Sequence, residues 1–464
     1  MKTNQYIDIQ SPLTNEIIGH VVAMTQEHVD QVIKKAKEGF KIWRNTPLHE
    51  RVAYLYKVAD LLMENVEELT KLLVLEVGKD SKSAESEVVR TADFIRFTAD
   101  TAKNLQGQTI GADSFPGGKK GKFAIVKREP IGVVLAVSPF NYPVNLAASK
   151  IAPALVGGNA VVFKPATQGS LSGSFLAELF IKAGLPEGVL GIVTGKGSEI
   201  GDYVITHPDI QFVNFTGSTK VGQHIAKQVK MIPLLMELGG KDAAIVLEDA
   251  DLDLAANHIV SGAFSYSGQR CTAIKRVLVL EEVADALIDK LTAEIKKLKV
   301  GNPAQIEGAL DVVPLINKKA ADFVEGLIED ASSKGGKLLC GGKRTGNLVE
   351  PTLFDHVTLD MKVAWEEPFG PVLPIIRVAS VEEAIEIANK SEYGLQSSVF
   401  TSDVHKAFEV ADKLEVGTVQ INNKTERGPD HLPFLGVKNS GIGVQGISYS
   451  IEAMTRLKST VMNL

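Results

Sequence analysis

The sequence predicts an α/β fold made of two parallel-sheet blocks covered by helices. Three observations carry that expectation. Short, continuous apolar runs alternate with helical stretches, the pattern of strands buried on both faces of a parallel sheet. The alternation occurs twice, once before Glu237 and once after it. A chain of 464 residues is also too long for one ordinary core, so two or three domains are expected.

From Gln26 to about Glu76 apolar residues recur three and four apart, which predicts amphipathic helix, and Ser83–Leu105 continues in the same way. The polar, Gly-rich stretch Gly111–Lys122 reads as a hairpin turn or mobile loop. The first α/β block follows. Ile131–Phe140, Asn159–Ala166, Val189–Gly195 and Ile210–Ser218 read as strands, with helices at Pro143–Val156, Ser172–Leu185 and Gly201–His207 between them. The second block carries strands near Ala243–Asp249, Gly394–Ser402 and Glu415–Asn423. Its helices fall within Ala255–Cys271, Arg276–Leu298 and Ala320–Gly335, and the terminal "LKSTVMNL" reads as a last strand. The blocks read as a cofactor domain and a catalytic domain meeting near residues 237–240.

Composition narrows the function classes. A hydrophobic fraction of 44% and a charged fraction of 23% are ordinary for a soluble globular chain. A net charge of −6 argues against a dedicated nucleic-acid binder. The polar N-terminus lacks a signal-peptide core, and no run of 18 apolar residues suggests a membrane span. Two cysteines, Cys271 and Cys340, make neither a disulfide framework nor a cysteine-rich metal site. No metal is expected, and a reducing cytoplasmic location is.

Several short motifs could carry chemistry. Cys271 stands in "SGQRCTAIKR", where the neighbouring Arg270 would favour the thiolate. A free cysteine is also among the most buried residue types, so a packing role stays open. Glu237, in "MELGGKD", follows an apolar run and precedes two glycines. It reads either as a strand-end carboxylate or as a general base at a domain junction. Asn141, in "SPFNYPVN", is a turn asparagine or an oxyanion donor. Gly217 and Ser218, in "FTGSTKVG", sit at a strand-to-helix turn suited to a pyrophosphate. Lys164 ends a strand where ligands of open parallel sheets gather. "WEEPFGPV", Trp365–Val372, is a rigid turn or a carboxylate held against a cofactor sugar. The aperiodic stretch Ile421–Gly443, with Arg427 and His431, is long enough to suggest a functional loop.

Taken together and in order, "SPFNYP", "FKPA", "FTGSTKVG", "ELGGKD", "GQRC", "EEPFGP" and "PFLGVKNSGIG" resemble the aldehyde dehydrogenase superfamily along nearly the full length. "SYSGQRCTAIKRVLV" and "INNKTERGPDHLPFLG" look most similar to its non-phosphorylating, NADP-dependent glyceraldehyde-3-phosphate dehydrogenase branch. The resemblance implies an aldehyde dehydrogenase-like α/β fold with two Rossmann-type parallel-sheet domains and a small β oligomerisation element. The dinucleotide-binding domain would span 1–106 and 131–239, the catalytic domain 240–440, and the oligomerisation element 107–130 and 441–464. A homotetramer or homodimer is implied. Cys271 would be the nucleophile, Asn141 an oxyanion donor and Glu237 the base that activates water. Lys164, Thr167, Phe140, Gly217, Ser218, Glu367 and Phe369 would line the cofactor. Thr167 stands where NAD-preferring relatives carry Glu, which favours NADP while leaving NAD possible. Arg90, Tyr142, Arg270, Thr272 and Arg427 would surround a small, phosphorylated aldehyde. The implied reaction is oxidation of D-glyceraldehyde 3-phosphate to 3-phosphoglycerate through a cysteine thiohemiacetal and thioester, without inorganic phosphate. The alternative keeps the chemistry on lactaldehyde, sulfolactaldehyde or succinate semialdehyde.

Overall fold

A computed structural model describes residues 5–306 and 308–464. The chain opens with an antiparallel hairpin, β1 (Tyr6–Gln10) and β2 (Ile17–Val22). Four amphipathic helices follow: α1 (Gln26–Trp43), α2 (Leu48–Glu64), α3 (Val66–Val77) and α4 (Ser81–Ala102). Their apolar stripes supply buried residues such as Ile33, Leu55, Leu73 and Ile95. Thr25 and Asp80 close the N-termini of α1 and α4 with side-chain bonds to backbone N–H groups. Strands β3 (Gln108–Gly111) and β4 (Lys122–Pro130) flank the Gly-rich turn.

The first α/β block runs β5 (Val133–Val137), α5 (Asn145–Val156), β6 (Ala160–Lys164), α6 (Ser170–Lys182) and β7 (Leu190–Ile192). It continues with α7 (Gly197–Thr206), β8 (Phe212–Thr216), α8 (Thr219–Gln228) and β9 (Leu234–Glu237). The second block starts with β10 (Ala243–Val246), α9 (Leu252–Phe264), β11 (Arg276–Leu280), α10 (Glu281–Ile295) and α11 (Lys318–Ser333). Strands β12 (Lys337–Cys340), β13 (Arg344–Thr345), β14 (Leu348–Val349), β15 (Thr352–Asp355) and β16 (Val372–Val378) follow. Then come α12 (Val381–Asn389), β17 (Tyr393–Gly394), β18 (Gln396–Phe400), α13 (Val404–Lys413) and β19 (Thr418–Ile421). The chain ends with β20 (Val437–Lys438), β21 (Gly441–Ile442), α14 (Ile447–Ala453) and β22 (Thr455–Asn463).

Two large sheets organise the molecule. The first has six strands in the order β21-β9-β8-β5-β6-β7, parallel except for the edge strand β21. The second has seven in the order β12-β15-β16-β11-β10-β18-β19, parallel except for β12. Their central strands are buried along almost their whole length, which is why they read as continuous apolar runs. A small antiparallel sheet, β22-β4-β3, stands apart. Of residues 441–464, β21 borders the six-stranded sheet and α14 packs on α5, so the small sheet receives only β22. The chain crosses between the large sheets at Leu238–Asp242, between the end of β9 and the start of β10.

Candidate active site

The turn that carries Cys271 is held in uncommon backbone. After α9 ends at Phe264, Tyr266, Ser267 and Gly268 all take positive φ, at 51°, 56° and 69°. Left-handed backbone costs a non-glycine residue free energy, so the surroundings must enforce it. Ser267 Oγ donates to the Val313 carbonyl and accepts from the Val313 N–H, both at 2.7 Å. Tyr266 donates its hydroxyl to the carbonyl of Val77, at the end of α3, at 2.7 Å. A Cβ on Gly268 would lie 2.7 Å from the Gly370 carbonyl oxygen, so this position also needs glycine for space.

Cys271 keeps partial access to solvent, yet the protein packed around its sulfur pushes the thiol up to about 11. Lys275 opposes that shift, while the carboxylates of Glu237, Glu367 and Asp242 reinforce it. The sequence reading expected Arg270 to favour the thiolate, and the structure corrects it. Arg270 is buried, its Nη2 donates to the Gly262 carbonyl on α9, and its Nε has no partner. The cations whose charges act on the sulfur are Lys275 and Lys150.

Glu237 ends β9, beside Thr216 of β8, and its carbonyl accepts the Gly217 N–H at 3.2 Å. Both of its carboxylate oxygens are buried without a hydrogen-bond partner. Burial pushes its pKa up to about 8 against the charges of Arg427 and Lys150. Lys150 was missed from sequence. It lies fully buried on α5, donates to Thr216 Oγ1 at 2.7 Å, and is pulled down to about 7 by burial and by Arg427. A lysine inside the apolar run "LAASKIAPAL" was the available signal. Asn141, also buried, donates Nδ2 to the Gln269 carbonyl at 2.9 Å, which ties its amide to the turn of the cysteine. That bond uses one of two amide hydrogens and leaves the second for another acceptor. The Cys271 N–H makes no hydrogen bond among the described residues.

The C-terminal ends of β6 and β8, either side of β5, lie where open parallel sheets bind a dinucleotide. Lys164 is buried, donates to the Gly195 carbonyl at 3.0 Å, and is pulled down to about 8 by burial. Thr167 lies on the following turn, where its carbonyl accepts from Ser170 Oγ at 2.7 Å. Glu76 fixes this turn, accepting the N–H groups of Gly169, Leu171 and Ser172 at 3.1, 2.7 and 2.8 Å. Ser218 precedes α8 without capping it by side chain, so the first-turn N–H groups of α8 remain available to an anion. Phe140 and Phe369 meet edge to face, with ring centroids 5.8 Å apart. Glu367 accepts the Gly240 N–H at 3.1 Å. A Cβ on Gly239 would lie 2.2 Å from Glu367 Oε2, so the glycine clears the space this carboxylate occupies. A buried lysine, an open helix N-terminus, a neutral threonine and a carboxylate held near Cys271 fit a phosphorylated dinucleotide.

Two of the arginines expected around an anion, Arg90 and Arg427, stand together on a shared partner, Asp430. Arg90, on α4, makes a two-pronged bond to Asp430, at 2.7 and 2.8 Å, and donates to the Arg427 carbonyl at 2.8 Å. Asp430 also lies 3.7 Å from Arg427 Nε, and Arg427 donates to Gln445 Oε1 at 2.6 Å. One carboxylate therefore spaces the two arginines. Tyr142 packs edge to face on Tyr266, with the buried Lys79 ammonium 3.6 Å from its ring centroid. Lys79 pairs with Glu87, whose other oxygen accepts the Val144 and Asn145 N–H groups at the start of α5, at 2.9 and 3.0 Å. Thr272 is buried, and its carbonyl accepts from Thr425 Oγ1 at 2.9 Å.

A cysteine, a buried carboxylate and an amide donor meet between two parallel sheets, one of which offers a dinucleotide crevice. These features define an aldehyde-oxidising, nucleotide-dependent class, and the chain belongs to the aldehyde dehydrogenase family, which it matches over residues 1–460. It is 57% identical over 462 residues to the NADP-dependent glyceraldehyde-3-phosphate dehydrogenase of Streptococcus equinus, covering 100% of this chain and 96% of that protein. A lactaldehyde dehydrogenase from Methanococcus aeolicus is 40% identical, covering 98% of this chain and 97% of that protein. Among solved structures, the NADP complex of the NADP-dependent glyceraldehyde-3-phosphate dehydrogenase from Bacillus halodurans superposes with a TM-score of 0.98 at 57% identity. That match covers 100% of this chain and 97% of the other.

Proposed function

We propose that the protein catalyses the NADP-dependent oxidation of D-glyceraldehyde 3-phosphate to 3-phosphoglycerate, without inorganic phosphate. The observation that carries the reading is the buried, unbonded carboxylate of Glu237, whose charge acts on the partly accessible thiol of Cys271. The relatives named for this activity, at 57% and 50% identity, support the substrate and the cofactor.

The chain's own groups account for the chemistry. Cys271, as thiolate, attacks the aldehyde carbon, and a C–S bond forms. The second Nδ2 hydrogen of Asn141 and the Cys271 N–H receive the resulting oxyanion. NADP, when bound, would supply the hydride acceptor for that carbon; as the carbonyl reforms, the acyl group stays on Cys271 as a thioester. Glu237 takes a proton from water, the hydroxide adds to the thioester, and the C–S bond breaks to return the thiolate. Lys164, Thr167, Gly217 and Ser218 would hold the adenosine and pyrophosphate half of the cofactor. Phe140, Glu367 and Phe369 would flank its nicotinamide ribose. Arg90, Tyr142, Arg270, Thr272 and Arg427 would receive the substrate. Arg427 and Arg90 are best placed for its phosphate, because Asp430 already orients both.

A steady-state assay tests the reading. Purified protein, NADP and glyceraldehyde 3-phosphate should form NADPH and 3-phosphoglycerate without added phosphate, and Cys271→Ser should abolish both. Absence of NADPH with any short aldehyde would sink it. The same reading extends to a cytoplasmic, glycolytic role and to a homotetramer or homodimer paired through the small β-sheet. Among the described residues no helix is long and apolar enough to cross a membrane.

A further inference from the structure

We propose that Lys275 is a positioning residue for this reaction: its ammonium joins the backbone of the nucleophile Cys271 to the carboxylate of Glu367. The inference rests on the roles given above to Cys271 and Glu367. Lys275 follows the cysteine by four residues in "CTAIKR", just before β11 begins at Arg276. Its backbone N–H bonds the Asp242 carbonyl at 2.9 Å, which fixes the Cα where the chain enters the second sheet. The side chain folds back over the turn it has just left. Nζ donates to the Cys271 carbonyl and lies 3.3 Å from Glu367 Oε1. The side chain is only 1% exposed, and an ammonium so far from water is stable only with such partners.

This placement gives Lys275 two effects that no other side chain combines. It holds the ribose carboxylate at a fixed distance from the nucleophile's peptide, and Glu367 is shared with the Gly240 N–H of the inter-sheet crossing. Its charge also favours the Cys271 thiolate. Around the sulfur, the carboxylates of Glu237, Glu367 and Asp242 act in the opposite sense, and Lys150 is the other buried ammonium coupled to it. Around Lys275 itself stand Asp242, Glu367 and the second buried lysine, Lys241. Removing one of the two charges that favour the thiolate, with three still opposing it, should make the thiol a weaker acid.

The test is alkylation of Cys271 by iodoacetamide in the full-length protein, scored by peptide mass so that Cys340 is counted separately. At about pH 8, Lys275→Met should slow alkylation of Cys271 by about tenfold, one unit on its titration, the low end of what a nearby charge produces. Lys275→Met should also raise KM for NADP, and Lys275→Arg should restore both. Glu367→Gln should move alkylation the other way, faster than the unsubstituted protein, because it removes an opposing charge. An unchanged alkylation rate in Lys275→Met overturns the proposal whatever happens to kcat. Should Lys275→Met fail to fold, Glu367→Gln decides, and alkylation no faster than in the unsubstituted protein overturns the proposal. NADPH formation by Cys271→Ser would instead mean that the functional reading itself had failed.

Discussion

Glu237 is buried with both carboxylate oxygens unbonded, and burial lifts it from the usual 4.5 to about 8. Two consequences follow at the scale of this residue. As the proposed base it would work ionised, so thioester hydrolysis should accelerate with pH and level off above about 8. Glu237→Gln should keep a first-turnover burst of NADPH but lose about 10²–10⁴-fold in steady turnover, the usual weight of a positioned acid–base group. Stopped-flow absorbance distinguishes the two phases, and equal loss of both would remove Glu237 from the role. The second consequence concerns stability. The folded protein binds this proton more tightly than the unfolded chain, so the contribution is fully present below about 4.5 and is lost as pH rises through about 8. Glu237→Gln, neutral throughout, should therefore melt higher than the unsubstituted protein above pH 8 and show no such advantage near pH 5. For the substrate, Arg427→Ala should lower kcat/KM for the phosphorylated aldehyde about 10- to 100-fold, from ~1.5–3 kcal/mol of charge-assisted bonding, and affect an uncharged aldehyde far less. Cys271, Glu237 and Asn141 stand out in the sequence as candidates because their motifs fall at strand ends and turns. Lys150, Lys275 and Asp430 were not, since nothing local marks a lysine that folds back over its own turn or a carboxylate that spaces two arginines.

At the scale of elements, the turn between β6 and α6 is where dinucleotide choice should be set. Glu76, from the last turn of α3, binds three consecutive-region N–H groups there and gives Thr167 a fixed frame. Thr167→Glu should raise KM for NADP at least about tenfold and leave NAD little changed, since a carboxylate repels the 2′-phosphate that NAD lacks. An unchanged NADP-to-NAD ratio would place the discrimination elsewhere. The alternation of apolar runs and helices made β5, β6, β7 and β8 of the first sheet and β10, β18 and β19 of the second readable, because strands buried on both faces have no polar alternation to obscure them. The hairpin β1–β2 escaped notice because its residues are largely exposed and polar. Strand β16 escaped for another reason. Pro374 interrupts "VLPIIRV", and proline ordinarily argues against an interior strand. Here it sits opposite Phe354 in the last pair of the β15–β16 register, while Ile375 to Val378 pair with β11.

The whole molecule leaves one long edge unpaired. β22 is a nine-residue strand on the rim of the small sheet, bonded only to β4, and Leu457 and Val461 on one of its faces are 64% and 51% exposed. Ile110 and Ile125 extend exposed apolar surface onto β3 and β4. Edges and patches of this kind attract another chain. Leu457→Asp together with Val461→Asp should shift the mass in solution, measured by light scattering, toward the single 49.9 kDa chain. A mass equal to that of the unsubstituted protein would exclude this sheet as the interface. The left-handed run Tyr266–Gly268 matters at this scale too, because its anchors lie far along the chain: Val313 is 46 residues beyond Ser267, and Val77 is 189 residues before Tyr266. Contacts so distant in sequence form late in folding. A growing chain that has emerged only as far as Cys271 has no Val313 to pin Ser267, and its turn relaxes to right-handed backbone. With Cys271 as the proposed nucleophile, its working geometry would wait until the chain extends to Val313, so that activity would report closure of both halves of the molecule around it.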